Sequence, residues 1–202
     1  MEIAFNADLI SVGVAVAAAA LLGFVVFFQN TKSATGIFFL FFTLTSGAWS
    51  IVNYLNYQVE NPVVALWIIR LVLFFAVFQS ASLFLLLFNF PYSELKLSKK
   101  RLVILLTISV FIGILTLTPI VFSGLVITPG QVAAPIAQPG IILFGIFAIG
   151  MVSAGIYSLI TKIRRSKEID SKPLWNLLVG VFVMFTFIIV LNFILHIVFN
   201  NT

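Results

Sequence analysis

The stretch VVALWIIRLVLFFAVFQSASLFLLLFNF, residues 63–90, decides how the rest of the chain is read, because Arg70 is its one charged residue. At a rise of about 1.5 Å per residue, a helix of this length exceeds the roughly 30 Å hydrocarbon core of a bilayer. It therefore predicts a transmembrane helix that tilts or projects beyond the core. A β-barrel strand is excluded, since apolar and polar residues do not alternate. Pro91 follows at once and should stop the helix at Phe90, because proline lacks an amide donor and disfavours helix at the residue before it.

Outward from this run lie five more, at 9–28, 36–57, 102–120, 141–161 and 174–199. The expectation is an all-α integral membrane protein, a single polytopic bundle of six transmembrane helices over residues 1–202. Composition agrees: 62% of residues are hydrophobic and 8% charged, against about 45–50% and about 25% in soluble domains. Charges so sparse cannot cover a water-facing surface.

Ten of the eleven Lys and Arg residues sit in three links. These are Lys32 in the first link, Lys96, Lys99, Lys100 and Arg101 in the third, and Lys162, Arg164, Arg165, Lys167 and Lys172 in the fifth. The second and fourth links and both termini carry none, so the positive-inside rule places the odd links in the cytoplasm and the N-terminus outside. Glu2 and Asp8 precede the first run with no basic residue, which fits a retained helix better than a signal peptide. The net charge of +5 thus serves orientation rather than nucleic-acid binding. An even number of crossings returns the C-terminus outside, so the open reading frame is expected to continue into a seventh helix and a cytoplasmic signalling domain.

Residues 121–140, VFSGLVITPGQVAAPIAQPG, form the sizeable external link. Its β-branched residues, the Pro129-Gly130 turn and Pro135 and Pro139 predict a short external hairpin or flap between helices four and five. On the other side, Ser98 can cap the fourth helix, and Ser171 with Pro173 makes a similar start for the sixth.

Catalytic chemistry finds little to work with. Cysteine is absent and His196 is the one histidine, which leaves no ligand cluster for a metal and no thiolate nucleophile. No GxGxxG, Walker, HExxH or GxSxG motif occurs, and no carboxylate pair lies within a helix. No cofactor and no enzymatic activity are expected. Without a buried acid or lysine, ion-coupled transport is weaker than sensing.

The polar residues that remain fall at one depth. Trp49, Asn53 and Tyr57 recur every four residues on the second helix, Trp67 and Arg70 share a face of the third, and Asn192 and His196 share one on the sixth. All lie about 5 to 15 Å from the external ends of their helices. They are the candidate ligand-binding residues: Trp49, Asn53, Trp67, Arg70, Asn192 and His196. No acid in any helical run can neutralise Arg70, so its options are Asn53 or Asn192, a carbonyl, an aromatic face, snorkelling to the surface, or an anionic ligand. The tryptophans also fit packing or depth marking, and His196 fits either pH sensing or a hydrogen-bonded headgroup position. Small residues at Ala15, Ala19 and Gly23, and at Gly150, Ala154 and Ser158, fit helix contacts within the bundle or a homodimer interface.

At FFLFFTLTSGAWSIVNYL, residues 38–55, and LWIIRLVLFFAVFQSASLFLLLFNFP, residues 66–91, the sequence resembles the N-terminal seven-transmembrane sensor region of bacterial and archaeal histidine kinases. The resemblance rests on Trp49 in the outer half of the second helix, the Trp67/Arg70 pair of the third, its Phe90-Pro91 end, and the external link with scattered glycines and prolines. It departs from the family in having six countable helices and no kinase, PAS or cyclase output domain. The resemblance implies a sensory module of a two-component system in the cell membrane, and its motif does not supply the ligand; the expected partners are a small or lipidic ligand at the external side and a cytoplasmic signalling domain in cis or in trans. The rival readings are a small transporter or channel-like protein and a structural membrane subunit.

Overall fold

The computed structural model describes residues 7–56, 58–126, 134–165 and 171–189. They divide into two compact units, 1–155 and 156–202. The first contains α1 (Ala7–Gln29), α2 (Ala34–Asn56), α3 (Pro62–Asn89), α4 (Lys99–Thr116), the strands β1 (Phe122–Val126) and β2 (Ala134–Ala137), and most of α5 (Gly140–Arg165). The last turns of α5 and α6 (Ser171–Ile189) belong to the second.

Local signals set the helix ends. The Asn61 side chain accepts from the amides of Val63 (3.0 Å) and Val64 (3.3 Å), and Pro62 occupies the first turn of α3, where an amide donor is not needed. At the far end the Phe90 amide makes the last bond, to the Leu86 carbonyl, before Pro91. Ser98 caps α4 through the Arg101 amide at 3.4 Å. That helix is shorter than its apolar run: Leu117 and Thr118 bond three residues back, to Ile114 and Leu115, and Pro119 prevents continuation.

Within the first unit α3 is the most enclosed element, packed on α2, α4 and β1. Val77, Ala81 and Leu85 of α3 join Leu97 of the following link, Leu105 and Ile112 of α4 and Phe147 of α5 in one buried cluster. The pair α1–α2 meets through small residues. A side chain on Gly23 would collide with Thr43, and a Cβ on Gly47 would stand 3.3 Å from Val16, a tight contact. On α5 the close approach is made by Gly155, against Phe84 and Leu87, while Gly150 and Ala154 are exposed. In the second unit Leu159, Leu174, Leu178 and Val181 are buried.

Leu21, Phe28, Phe111, Ile146 and Ile149 are all more than half exposed. In water such faces would far exceed the apolar patches that soluble proteins tolerate, whereas hydrocarbon accepts them. Among the described residues, four segments have the length and composition of a membrane span: Val12–Gln29, Ala34–Asn56, Pro62–Asn89 and Gly140–Arg165. In α6 a shorter apolar stretch covers Ser171–Thr186, and α4 begins with three basic residues. The protein is an all-α multi-pass membrane protein.

Candidate ligand site at Arg70

Arg70 lies about 12 Å along the axis from the start of α3 and is only 6% exposed. A guanidinium carries five N–H donors. Its Nη2 donates to the Phe122 carbonyl at 2.6 Å, and its Cζ lies 5.1 Å from the centroid of the Trp67 ring. Nε is buried and has no hydrogen-bond partner among the described residues. No carboxylate meets the group among those residues either; the acid–base contact they contain is Glu94 with Lys96, at 4.0 Å. A carbonyl and a ring face each compensate part of the charge. The remainder is an uncancelled cation in a poorly solvated place.

The Phe122 carbonyl is presented by the hairpin. β1 and β2 are antiparallel with Phe122 opposite Ala137 and Leu125 opposite Pro135, and the register slips between Phe122 and Leu125. Backbone bonds close its base, from Gln138 to the Val121 carbonyl (2.9 Å) and from Gly140 to the Ile120 carbonyl (3.0 Å). The Gln138 amide side chain adds a bond to Ser123 Oγ at 2.9 Å. Gly140 passes so close that a Cβ there would stand 2.6 Å from the Ile120 oxygen, which no side chain permits. Val121 and Phe122 are buried. Arg70 therefore fastens a closed β-hairpin to a membrane helix through a single charge-assisted bond.

Of the six residues singled out by sequence, the structure brings Trp67 and Arg70 together. Trp67 is about half exposed, so its ring screens one face of the guanidinium from the surroundings. Trp49 and Asn53 are half-buried on α2. Their level follows from the antiparallel contacts Thr45–Ser82 and Ser46–Gln79. Continuing that register puts Asn53 beside residues 72–74 and Trp49 beside 76–78, so Trp49 is about 10 Å deeper than Arg70. No hydrogen bond joins Asn53 to Arg70 among the described residues. Asn192, His196 and Tyr57 lie outside the described residues.

The sequence matches the model of the N-terminal 7TM region of histidine kinase over residues 11–201. The chain belongs to that family. Comparison with curated proteins and with solved structures finds no match. The protein is thus a membrane signal-sensing input region, a non-catalytic part of a two-component system, as its residues 38–55 and 66–91 suggested.

This sensor region also contains a polar seam that the choice of tryptophan, arginine and histidine passed over. Midway along α2 and in the second half of α3, Thr45 Oγ1 lies 3.2 Å from Ser82 Oγ, and Gln79 Nε2 donates to Ser46 Oγ at 3.1 Å. Below it, fully buried Asn89 donates to the Leu85 carbonyl (2.8 Å) and accepts from the Lys96 amide (3.0 Å). Thr35 Oγ1 then reaches the Tyr92 carbonyl at 2.6 Å. The signal was present as Thr-Leu-Thr-Ser at 43–46 and Gln-Ser-Ala-Ser at 79–82, polar runs inside hydrocarbon that need partners on a neighbouring helix.

Proposed function

We propose that this sensor region recognises a small or lipidic ligand bearing a carboxylate, phosphate or carbonyl group beside Arg70. The reading is supported above all by the buried guanidinium, whose Nε has no partner among the described residues and which meets no carboxylate there. Trp67 would supply apolar contact, and Asn53, nearest to Arg70 in the α2–α3 register, a neutral hydrogen-bonding group. An anion outcompetes a neutral carbonyl for a guanidinium. Its arrival beside Arg70 would weaken the bond to Phe122 and shift the hairpin's balance between seated and released. A bias of a few kcal/mol between two such arrangements is enough for a switch. The readout would be a cytoplasmic signalling domain, in cis or in trans, with a homodimer as the simplest assembly.

The same proposal includes six crossings, an external N-terminus and an external hairpin, on the strength of the basic residues in odd links. Because the chain has no cysteine, single cysteines test this against a clean background. Cysteines at Glu60 or Gln131 are expected to react with an impermeant thiol reagent on intact cells, and those at Lys99 or Arg164 to be shielded; the reverse pattern inverts the topology. The site itself is tested by thermal unfolding of the purified protein with a panel of carboxylates, phosphates and amides. Compounds that stabilise the native protein should not stabilise Arg70→Gln. If Arg70→Gln instead lowers folded yield and leaves any ligand shift intact, Arg70 is a packing residue.

A further inference from the structure

At the opposite end of the first unit, where α2 begins and α3 ends, an open groove of about 620 Å³ runs between the α1–α2 and α3–α4 links. Ala34, Ile37, Phe38, Leu95 and Leu102 give it an apolar wall, while Asn30, Lys32, Ser93 and Glu94 lie along its mouth. Ile37 and Leu95 are both well exposed. Backbone bonds hold the two sides together: the Ala34 amide donates to the Ser93 carbonyl at 2.7 Å, next to the Thr35–Tyr92 bond. The groove is therefore a fixed feature of the helix ends.

Its surroundings are strongly cationic. Lys32 is exposed at the mouth, and Lys99 shares the face of α4 that carries Leu102, three residues on. Lys96, Lys100 and Arg101 stand close in the chain, and Glu94 is the single acid among them. That carboxylate is almost fully solvated and lies 4.0 Å from Lys96, whose ammonium also sits 4.6 Å above the Tyr92 ring. Glu94 thus leaves Lys32 and Lys99 free of a carboxylate partner among the described residues. An apolar wall opening beneath a cationic rim at the end of membrane helices matches one class of molecule in charge and polarity.

We propose that this groove is a binding site for an anionic phospholipid, with the headgroup phosphate between Lys32 and Lys99 and an acyl chain along Ile37, Phe38 and Leu102. It is separate from the site at Arg70 and does not depend on it. The test uses the full chain in nanodiscs of equal phosphatidylglycerol and phosphatidylcholine, with the lipids retained on extraction into detergent counted by native mass spectrometry. Phosphatidylglycerol should be retained preferentially, and Lys32→Gln with Lys99→Gln should reduce that preference by about fivefold per lysine, the effect of about 1 kcal/mol for each basic residue at an anionic surface. Lys32→Arg with Lys99→Arg should keep it. Ile37→Trp, at an exposed position, should lower phosphatidylglycerol retention with the cationic rim intact. Equal retention of the two lipids, indifference to either the charge or the Ile37 change, or displacement of the lipid by soluble glycerol phosphate would each overturn the proposal.

Discussion

Arg70 and Arg101 are the same side chain in opposite situations within one unit. Arg70 is buried beneath a β-hairpin with a carbonyl and a tryptophan ring for company, while Arg101 is exposed at the start of α4 among lysines. A buried cation depends on each specific partner, because nothing replaces a lost one. An exposed cation belongs to a field to which its neighbours also contribute, and water replaces whatever is removed. The hairpin end of the unit should accordingly be sensitive to single substitutions, and the basic end should respond to total charge.

The largest expected effect falls on the piece that presents Arg70 with its partner. Gly140→Val would drive a side chain into the Ile120 carbonyl and should destabilise the protein by more than about 3 kcal/mol, seen as loss of monodisperse protein after extraction. If Gly140→Val folds normally, the hairpin base is not rigid, and the contrast between the two ends loses its structural basis.

Next comes the direct comparison. Arg70→Met removes the charge but strands the buried Phe122 carbonyl, and should cost about 1 to 3 kcal/mol. Arg101→Met at an exposed site should stay within about 0.5 kcal/mol. It can even stabilise, since a cation in the first turn opposes the helix dipole. Thermal unfolding of both variants in one neutral detergent measures the difference, and equal losses would mean that burial of Arg70 has no energetic consequence.

The two ends were legible in the sequence to different degrees. Length and hydropathy placed α3, and chain chemistry ended it: Pro91 and Ser98 act at the positions where the backbone needs them. Arg70 stood out because one charge in an apolar run is an imbalance visible without a fold, and the stacking of Trp67 on it follows from a three-residue spacing. Its partner Phe122 was hidden, because a backbone carbonyl has no sequence signature and lies 52 residues away. The shared depth of Trp49 and Arg70 was read from distances to helix ends, whereas the contacts of Thr45 with Ser82 and of Ser46 with Gln79 set the register and place Trp49 deeper. The end of α4 at Thr116 was also missed, because hydropathy measures how long a segment stays apolar and not where its hydrogen bonding tightens.

The smallest effect is expected at Lys100, and it sharpens the contrast most cleanly. This lysine is exposed, does not line the groove, and sits in the first turn of α4 between Lys99 and Arg101. In a neutral bilayer Lys100→Gln removes mutual repulsion and an unfavourable dipole contact, so the unfolding temperature should stay level or rise slightly. In a bilayer rich in phosphatidylglycerol the same change should remove up to about 1 kcal/mol of headgroup attraction. That loss should fade as salt rises, because the Debye length falls to about 3 Å near 1 M. Arg70→Met should show no such salt dependence, since its partners are a carbonyl and a ring within the protein. If Lys100→Gln destabilises the protein in neutral lipid as much as Arg70→Met does, the basic end has specific partners of its own. The distinction between a buried cation with specific partners and an interchangeable surface field would then fail.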